Sequence, residues 1–461
     1  MRRISCAAGL LPALLAGVLA PGRARAHAPD TYGLGSRGAS MGGALVADAT
    51  DFSAGYYNPA GLCGATGLGL SIGYAYASNH LRTNGRDSGV RDVHGLSGGL
   101  VAPGEVLGVP FAFGLAMFLP DDGLSRIKAI RQETPRWELH DDRLSILFLA
   151  ANVAVRPLPF LEIGGGVAFL ASTRGRFSVT GRADALSPYD SALRHEVDAD
   201  LTSIRTPQLG ARVRAGDLGF VGIAYRGEAK LPLSIDARLQ GVVDFAGIEV
   251  PLLYELESRT VDAFLPRQVV VGASFQRIEG LRVNVDVTWV DWSAYESPVA
   301  RTRAHLEAAP PPELPIDLPD DPRPTSVAPL RFADRLVPRL GVEVLAVEAG
   351  TLREVAGQEG ERRAIEVPLR AGYVYERSPV PPQTGVTNYV DADRHTMSLG
   401  AGVVLNRPLE ELPGSLRIDL HGQISVLPEV VVEKDNPADF VGDYSAGGTM
   451  VNLGATVTAA F

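Results

Sequence analysis

The sequence predicts an all-β protein, a transmembrane antiparallel β-barrel of about fourteen strands, the even number that barrels of this type require. Three observations predict it. Apolar and polar residues alternate with period two in segments along the whole chain, and the connections between those segments alternate short and long. Beyond the first residues, no apolar stretch is long enough for a membrane helix.

The chain begins with Arg2 and Arg3, then the apolar run ISCAAGLLPALLAGVLA, then PGRARAHA with its small-x-small cleavage sites. This is the layout of a secretion signal, with cleavage expected after Ala26 and residues 1–26 removed. Losing four arginines from 43 basic residues leaves 39 against 53 acidic ones, a net charge near −14. Such a balance excludes nucleic-acid binding through general phosphate attraction. Cys6 leaves with the signal, so Cys63 stands alone and no internal disulfide is expected.

The alternation is cleanest in MVNLGATVTAAF, where Val451, Leu453, Ala455, Val457, Ala459 and Phe461 share one face against Asn452, Gly454, Thr456 and Thr458. In LRVNVDVTWV, valines 283, 285 and 287 oppose Asn284, Asp286 and Thr288. In LRIDLHGQISV, Leu420 and Ile424 oppose Asp419, His421, Gln423 and Ser425. A soluble sandwich alternates too, with its apolar face inward; a membrane barrel turns that face to lipid. Modest outward side chains, strand segments of spanning length and a terminal aromatic residue in the last strand favour the barrel.

Tight connections fall near Pro103–Leu107, Pro157–Phe160, Gly216–Asp217 and Glu279–Gly280. Long ones fall near 80–92, 120–140, 179–200, 242–252 and 308–327. Short turns on one side and long loops on the other are the barrel arrangement. The proline- and acid-rich AAPPPELPIDLPDDPRPTSVAP fits an external loop. One stretch, 349–361, is long where a short turn is expected, and extended strand ends are the expected explanation.

Catalytic patterns match only by letter. Gly33, Gly35 and Gly38 spell GxGxxG but follow no buried strand, and no βαβ alternation comes after. G-x-S-x-G occurs at Gly38–Gly42 and Gly95–Gly99, the second inside an alternating strand where no nucleophile elbow can form. The cluster Asp391–His395 reads as a polar strand rim, and the eight histidines lack metal-ligand spacing. Neither an enzyme nor a cofactor is expected.

The run GLGSRGASMGGALVADATDFSAGYYNPAGL, from Gly33, is nearly all small residues and precedes the first strand. With GIAYRGEAKLPL, VDVTWVDWSAY, YERSPVPP, DADRHTMSLGAG and the final Phe461 following in order, it resembles the FadL/TodX family of outer-membrane transporters of hydrophobic compounds. The resemblance covers the mature chain and implies a barrel at 67–461 plugged by residues 27–66. Asn58, Pro59, Ala60 and Gly61 would fix the plug's turn against the wall. It also implies import of fatty acids or related hydrophobic solutes by a single barrel among outer-membrane lipids, with a lateral opening at the third strand. Gly108 and Pro110 are the expected gate, since proline within a strand implies an edge or bulge. The family's basic ligand contacts fall near Arg174 and Arg176, and near Val299 with Arg301 and Arg303 just beyond; His27 would reach the inner ligand site. The family's lysine near Val299 is missing, which leaves room for an uncharged aromatic hydrocarbon. A lipid hydrolase and an adhesion barrel are the alternatives from other classes.

Overall fold

The computed structural model describes residues 28–121, 134–140, 147–184, 192–245, 248–296, 301–308, 329–355, 358–409, 414–437 and 439–461. The signal region, and most of the proline-rich loop at 308–327, lie outside the described residues. Fourteen strands close into one antiparallel barrel. They are β1 Gly69–Thr83, β2 Val93–Val106, β3 Val109–Pro120, β4 Phe148–Leu158, β5 Leu161–Asp184, β6 Ala192–Arg214 and β7 Gly219–Arg226. The ring continues with β8 Gln268–Phe275, β9 Leu281–Val290, β10 Arg335–Ala349, β11 Ile365–Glu376, β12 Arg394–Asn406, β13 Ser415–Val432 and β14 Tyr444–Ala460. Closure is made by β14 on β1, from Gly69 opposite Ala460 to Thr83 opposite Ala446. Full closure leaves the ring no edge, so every strand finds its hydrogen-bond partners inside the sheet.

Burial is inverted relative to a soluble sandwich. Asn284, Asp286 and Thr288 of β9 are buried while Val285 and Val287 are exposed. On β13, Asp419, His421, Gln423 and Ser425 are buried, and Ile418, Leu420 and Ile424 are exposed. The polar side chains line the lumen and the apolar ones form the outer band, a surface that is stable only against acyl chains. Along β1 the outward positions read Leu70, Ile72, Tyr74, Tyr76, Ser78, His80 and Arg82. That gradient from apolar through aromatic to charged places the lower turns at one membrane face and the long loops at the other.

Two strands outgrow the membrane. β5 has 24 residues and β6 has 23, about twice the length that spans a bilayer. Beyond the barrel the far half of β5 pairs with an outer strand, Ala229–Phe245, and that strand pairs with Ile248–Leu265. Arg301–Ala308 completes this external sheet by pairing with Ile248–Leu265. At the opposite end, the β10–β11 ladder stops at Ala349 opposite Ile365. The residues expected there as extended strand ends instead make a separate two-stranded hairpin, Leu352–Val355 with Gln358–Arg362.

Residues 28–66 fill the lumen as short helical turns: α1 Ala28–Tyr32, α2 Ser36–Ser40, α3 Ala54–Tyr57 and a 3-10 turn at Pro59–Gly64. They have no core of their own, and the wall makes room by losing side chains. A Cβ added at Gly114, Gly164, Gly210, Gly222, Gly341, Gly372 or Gly400 would come under 3.0 Å from a plug atom. These glycines lie on seven strands, and the plug residues they meet run backwards from Leu62 to Ser40 as the ring advances. The glycine wealth of the strands is thus the docking surface of the plug.

Candidate functional site

The plug is fixed to the wall at two places. At the first, the Asn58 amide nitrogen donates to the carbonyl oxygens of Val46 at 2.7 Å and Ala211 at 3.1 Å. Its amide oxygen accepts the Ala60 N–H at 3.1 Å, and Pro59 opens the 3-10 turn that continues through Ala60 and Gly61. Gly61 packs against the Ala49 carbonyl, where a side chain has no room. At the second place Arg37 pairs with Asp48 inside the plug and with Glu343 of β10 at 3.2 Å. Arg370 joins Glu343 at 2.5 Å and Asp419 at 2.8 Å, and Arg282 reaches Asp48 at 3.3 Å. Burial alone would raise the Asp48 carboxyl, but the Arg37 and Arg282 guanidiniums outweigh it and hold it below the ordinary carboxylate range. Below this network opens a wide polar vestibule of about 560 Å³, bordered by Arg37, Glu343 and Arg417.

Above the network, α1 separates two small cavities. The inner one, about 40 Å³, is bordered by Tyr56, Tyr57, Val270, Thr288 and Arg226. The outer one, about 60 Å³, is bordered by Phe264, Trp292, Val290 and Arg335. Asp30, Thr31, Arg339, Glu376 and Arg394 belong to both. Each has room for only a few waters, with Asp30 and Thr31 of α1 bordering both. Trp292 and Phe264 belong to a buried aromatic cluster with Tyr295, Phe332 and Tyr389. Phe264 stacks on Tyr295 with ring centroids 4.9 Å apart.

Cations meet this apolar surface. Glu376 takes both Arg394 and Arg335, the latter at 3.0 Å, so two guanidiniums share one carboxylate. The Arg339 guanidinium donates to Thr288. Arg226 lies over the Tyr56 ring at 4.4 Å, and Tyr56 in turn donates to Asp30 of α1 at 2.5 Å. Among the described residues, Arg394 Nη1, Arg335 Nε and Trp292 Nε1 are buried donors without a protein acceptor. A third cavity, about 20 Å³, lies between α1 and the β1–β3 wall beside Tyr32, Val93 and Phe118.

The basic residues expected at the ligand do not border these cavities. Arg301 and Arg303 are exposed on the external sheet, opposite Arg259 and Glu257. The backbone of Arg174 and Arg176 runs in the far half of β5, where Arg176 lies beside Asp236 of the outer sheet. Resemblance placed them by position in the chain; the overlong β5 carries Arg174 and Arg176 beyond the barrel, and Arg301 and Arg303 belong to the external sheet. His27 lies outside the described residues, though its neighbours Pro29, Asp30 and Thr31 border the inner cavity. Arg226, Arg339 and Arg394 were missed, although Arg339 shares the inward face of β10 with Val337 and Gly341, a signal the period-two pattern carries.

Gly108 and Pro110 are also placed differently. Leu107 and Gly108 have φ of 54° and 78° and form the turn joining β2 to β3. Pro110 pairs with Glu105 on the next rung, and the β2–β3 ladder runs unbroken to Pro120. The β3–β4 ladder begins only at Phe111, so the N–H that Pro110 lacks breaks no rung on that side.

No protein-family model matches the chain, and no curated protein does. Solved structures do. A Pseudomonas aeruginosa FadL homologue superposes with a TM-score of 0.57 at 14% identity, covering 93% of this chain and 98% of that one. The CymD monoaromatic hydrocarbon channel gives 0.52 at 16% identity over 93% and 97% of the two chains. The Pseudomonas putida toluene transporter TodX gives 0.51 at 13% identity over 93% and 99%. The chain has the FadL-type fold. In a barrel of this fold, the glycine-lined wall and the Arg37–Glu343 pair are what hold the plug.

Proposed function

We propose that the protein belongs to the family it resembles and imports hydrophobic solutes across the outer membrane as a single plugged barrel, without enzymatic chemistry or a cofactor. The observation that carries this reading is the pair of cavities on either side of α1. An aromatic wall lies on the outer side and guanidiniums at the junction. A methylene gains about 0.8 kcal/mol on leaving water, so a chain of fifteen resists an aqueous pore by about 12 kcal/mol. Such a solute moves between apolar sites, and here it would enter at Phe264 and Trp292 and displace α1.

The solute favoured by the site is an acyl chain with a carboxylate head. Buried guanidinium donors without a protein acceptor suit an oxyanion, which arginine binds bidentately. A second reading, an uncharged aromatic hydrocarbon, is supported by the aromatic cluster and by Glu376, which offsets part of the positive charge. Uptake of labelled oleate and labelled toluene by cells depleted of their own carriers tests both. Oleate uptake that falls with Arg394→Met while toluene uptake holds supports the acid. Release of free acid from a lipid ester by the folded barrel would replace transport with hydrolysis.

We further propose that the solute leaves sideways through the β1–β3 wall, where the third cavity meets Val93 and Phe118. Residues 1–26 would act as the export signal that delivers the chain to the outer membrane.

A further inference from the structure

Two clusters on the outer surface repeat one pattern in one register. On β1 and β2, Tyr76 lies opposite His94, and the two rings stack with centroids 6.0 Å apart. The Tyr76 hydroxyl donates to Asp92, and the Tyr74 hydroxyl lies 3.1 Å from His94 Nδ1. This cluster also holds Asp121, which accepts the Tyr74 hydroxyl at 2.6 Å and lies 2.8 Å from His94. On β11 and β12, Tyr375 lies opposite His395 with centroids 5.0 Å apart. The Tyr375 hydroxyl donates to Asp393 at 2.6 Å, and the Tyr373 hydroxyl lies 2.8 Å from His395 Nδ1. Both read Tyr-x-Tyr on one strand against Asp-x-His on the next.

The clusters share one face and one level. Only β13 and β14 separate them, so their centres are about 19 Å apart at the usual strand spacing. The rung through His395 continues through Val426 and Thr449 to His80, above Tyr76 on β1. The stagger of tilted strands in a closed barrel lowers that line back to Tyr76. Both stand at the top of the lipid-facing band, with Leu96 below one and Met397 and Leu399 below the other, all exposed.

An aromatic belt alone explains the tyrosines. It does not explain carboxylates fixed at headgroup depth, which repel a phosphate. Oδ1 of Asp92 already accepts the Ser78 hydroxyl and the Asn79 N–H, and Oδ1 of Asp393 the Ser378 N–H. Each Oδ2, however, accepts one phenol and keeps a lone pair for a hydroxyl donor, while the exposed rings of Tyr76 and Tyr373 offer flat apolar faces. Hydroxyls around a flat CH face describe a sugar. We infer that each cluster is a docking site for the sugar headgroup of a glycolipid in the outer leaflet, so that one face of the barrel holds two such lipids. This rests on the lipid-facing band and is independent of what crosses the lumen.

The test reconstitutes the full barrel in phosphatidylcholine nanodiscs doped with a glucosyl diacylglycerol or, separately, phosphatidylglycerol. Retained lipid is counted by native mass spectrometry after transfer to mild detergent. The wild type should retain two glycolipids, and Tyr76→Phe with Asp92→Asn should retain one. Tyr375→Phe with Asp393→Asn should likewise retain one, and all four changes none. Unchanged heat-modified gel mobility would show that each variant still folds. Equal retention by the fourfold variant, or equal retention of phosphatidylglycerol by the wild type, would overturn the proposal.

Discussion

Asn58 crosses the seam between plug and wall: its amide nitrogen holds the Val46 carbonyl of the plug and the Ala211 carbonyl of β6 together. Gly210 lies directly beneath it, and a methyl group there would strike the Asn58 amide oxygen. Gly210→Ala should therefore lift the plug at this corner, at a cost of about 1–3 kcal/mol for overpacking. In planar bilayers the variant should conduct small ions where the wild type is silent, with barrel stability unchanged. A silent Gly210→Ala channel would show that the wall does not seat the plug here.

Arg37 is the electrostatic counterpart of that seam. Replacing it by methionine takes from Asp48 and Glu343 the buried cation they share and leaves the half-exposed Arg282 as their common partner; breaking such a buried pair costs about 3–5 kcal/mol. Arg37→Met should open the plug more than Gly210→Ala does. The Asp48 carboxyl is held below its ordinary value, so its contribution is complete above the unfolded value near 3.9. It is lost as pH falls through the lower folded value, and wild-type conductance should rise only in that acid range. Conductance that is flat down to the acid limit of barrel stability would count against the latch.

The barrel was legible because a strand's period is fixed by backbone geometry. Once Asn284, Asp286 and Thr288 are read on one face, only their direction remains open, and burial decides it. The plug's small residues were equally visible. Their counterparts on the wall were not, because a glycine such as Gly372 or Gly400 reveals its purpose only through what it touches. The candidate cations lie away from the cavities for a related reason. Arg301 and Arg303 alternate correctly with Thr302 along a strand, yet that strand, Arg301–Ala308, pairs with the external sheet and not with the barrel, and period alone does not tell the two apart.

His140 borders the outer cavity with Leu139, in the short segment 134–140 that serves as its cap. It follows Trp137, which pairs beside Val390 in a short parallel contact, and its Nε2 lies 3.5 Å from Asp391. Burial depresses its protonation below the ordinary value despite that carboxylate. A histidine held neutral in the fold, but free to charge when the cap opens, favours opening as pH falls below about 6.5. Hydrogen exchange at residues 136–140 should accelerate between pH 7 and pH 5, and His140→Gln should abolish the difference. Identical exchange at both pH values in the wild type would remove the histidine from any role in the cap.

The lateral route makes the sharpest demand, because the β2–β3 ladder is unbroken and Pro110 stands at its turn. A solute leaving there must part the two strands higher up, beside Phe118, not at the proline. Pro110→Val should therefore leave uptake unchanged. Leu96 and Leu119 lie opposite each other and both face lipid, so cysteines at these positions can be joined. In a Cys63→Ser background the oxidised pair should lose most of its uptake and regain it on reduction. Full uptake by the oxidised protein would close this wall as an exit and direct the solute to the vestibule beneath Arg37.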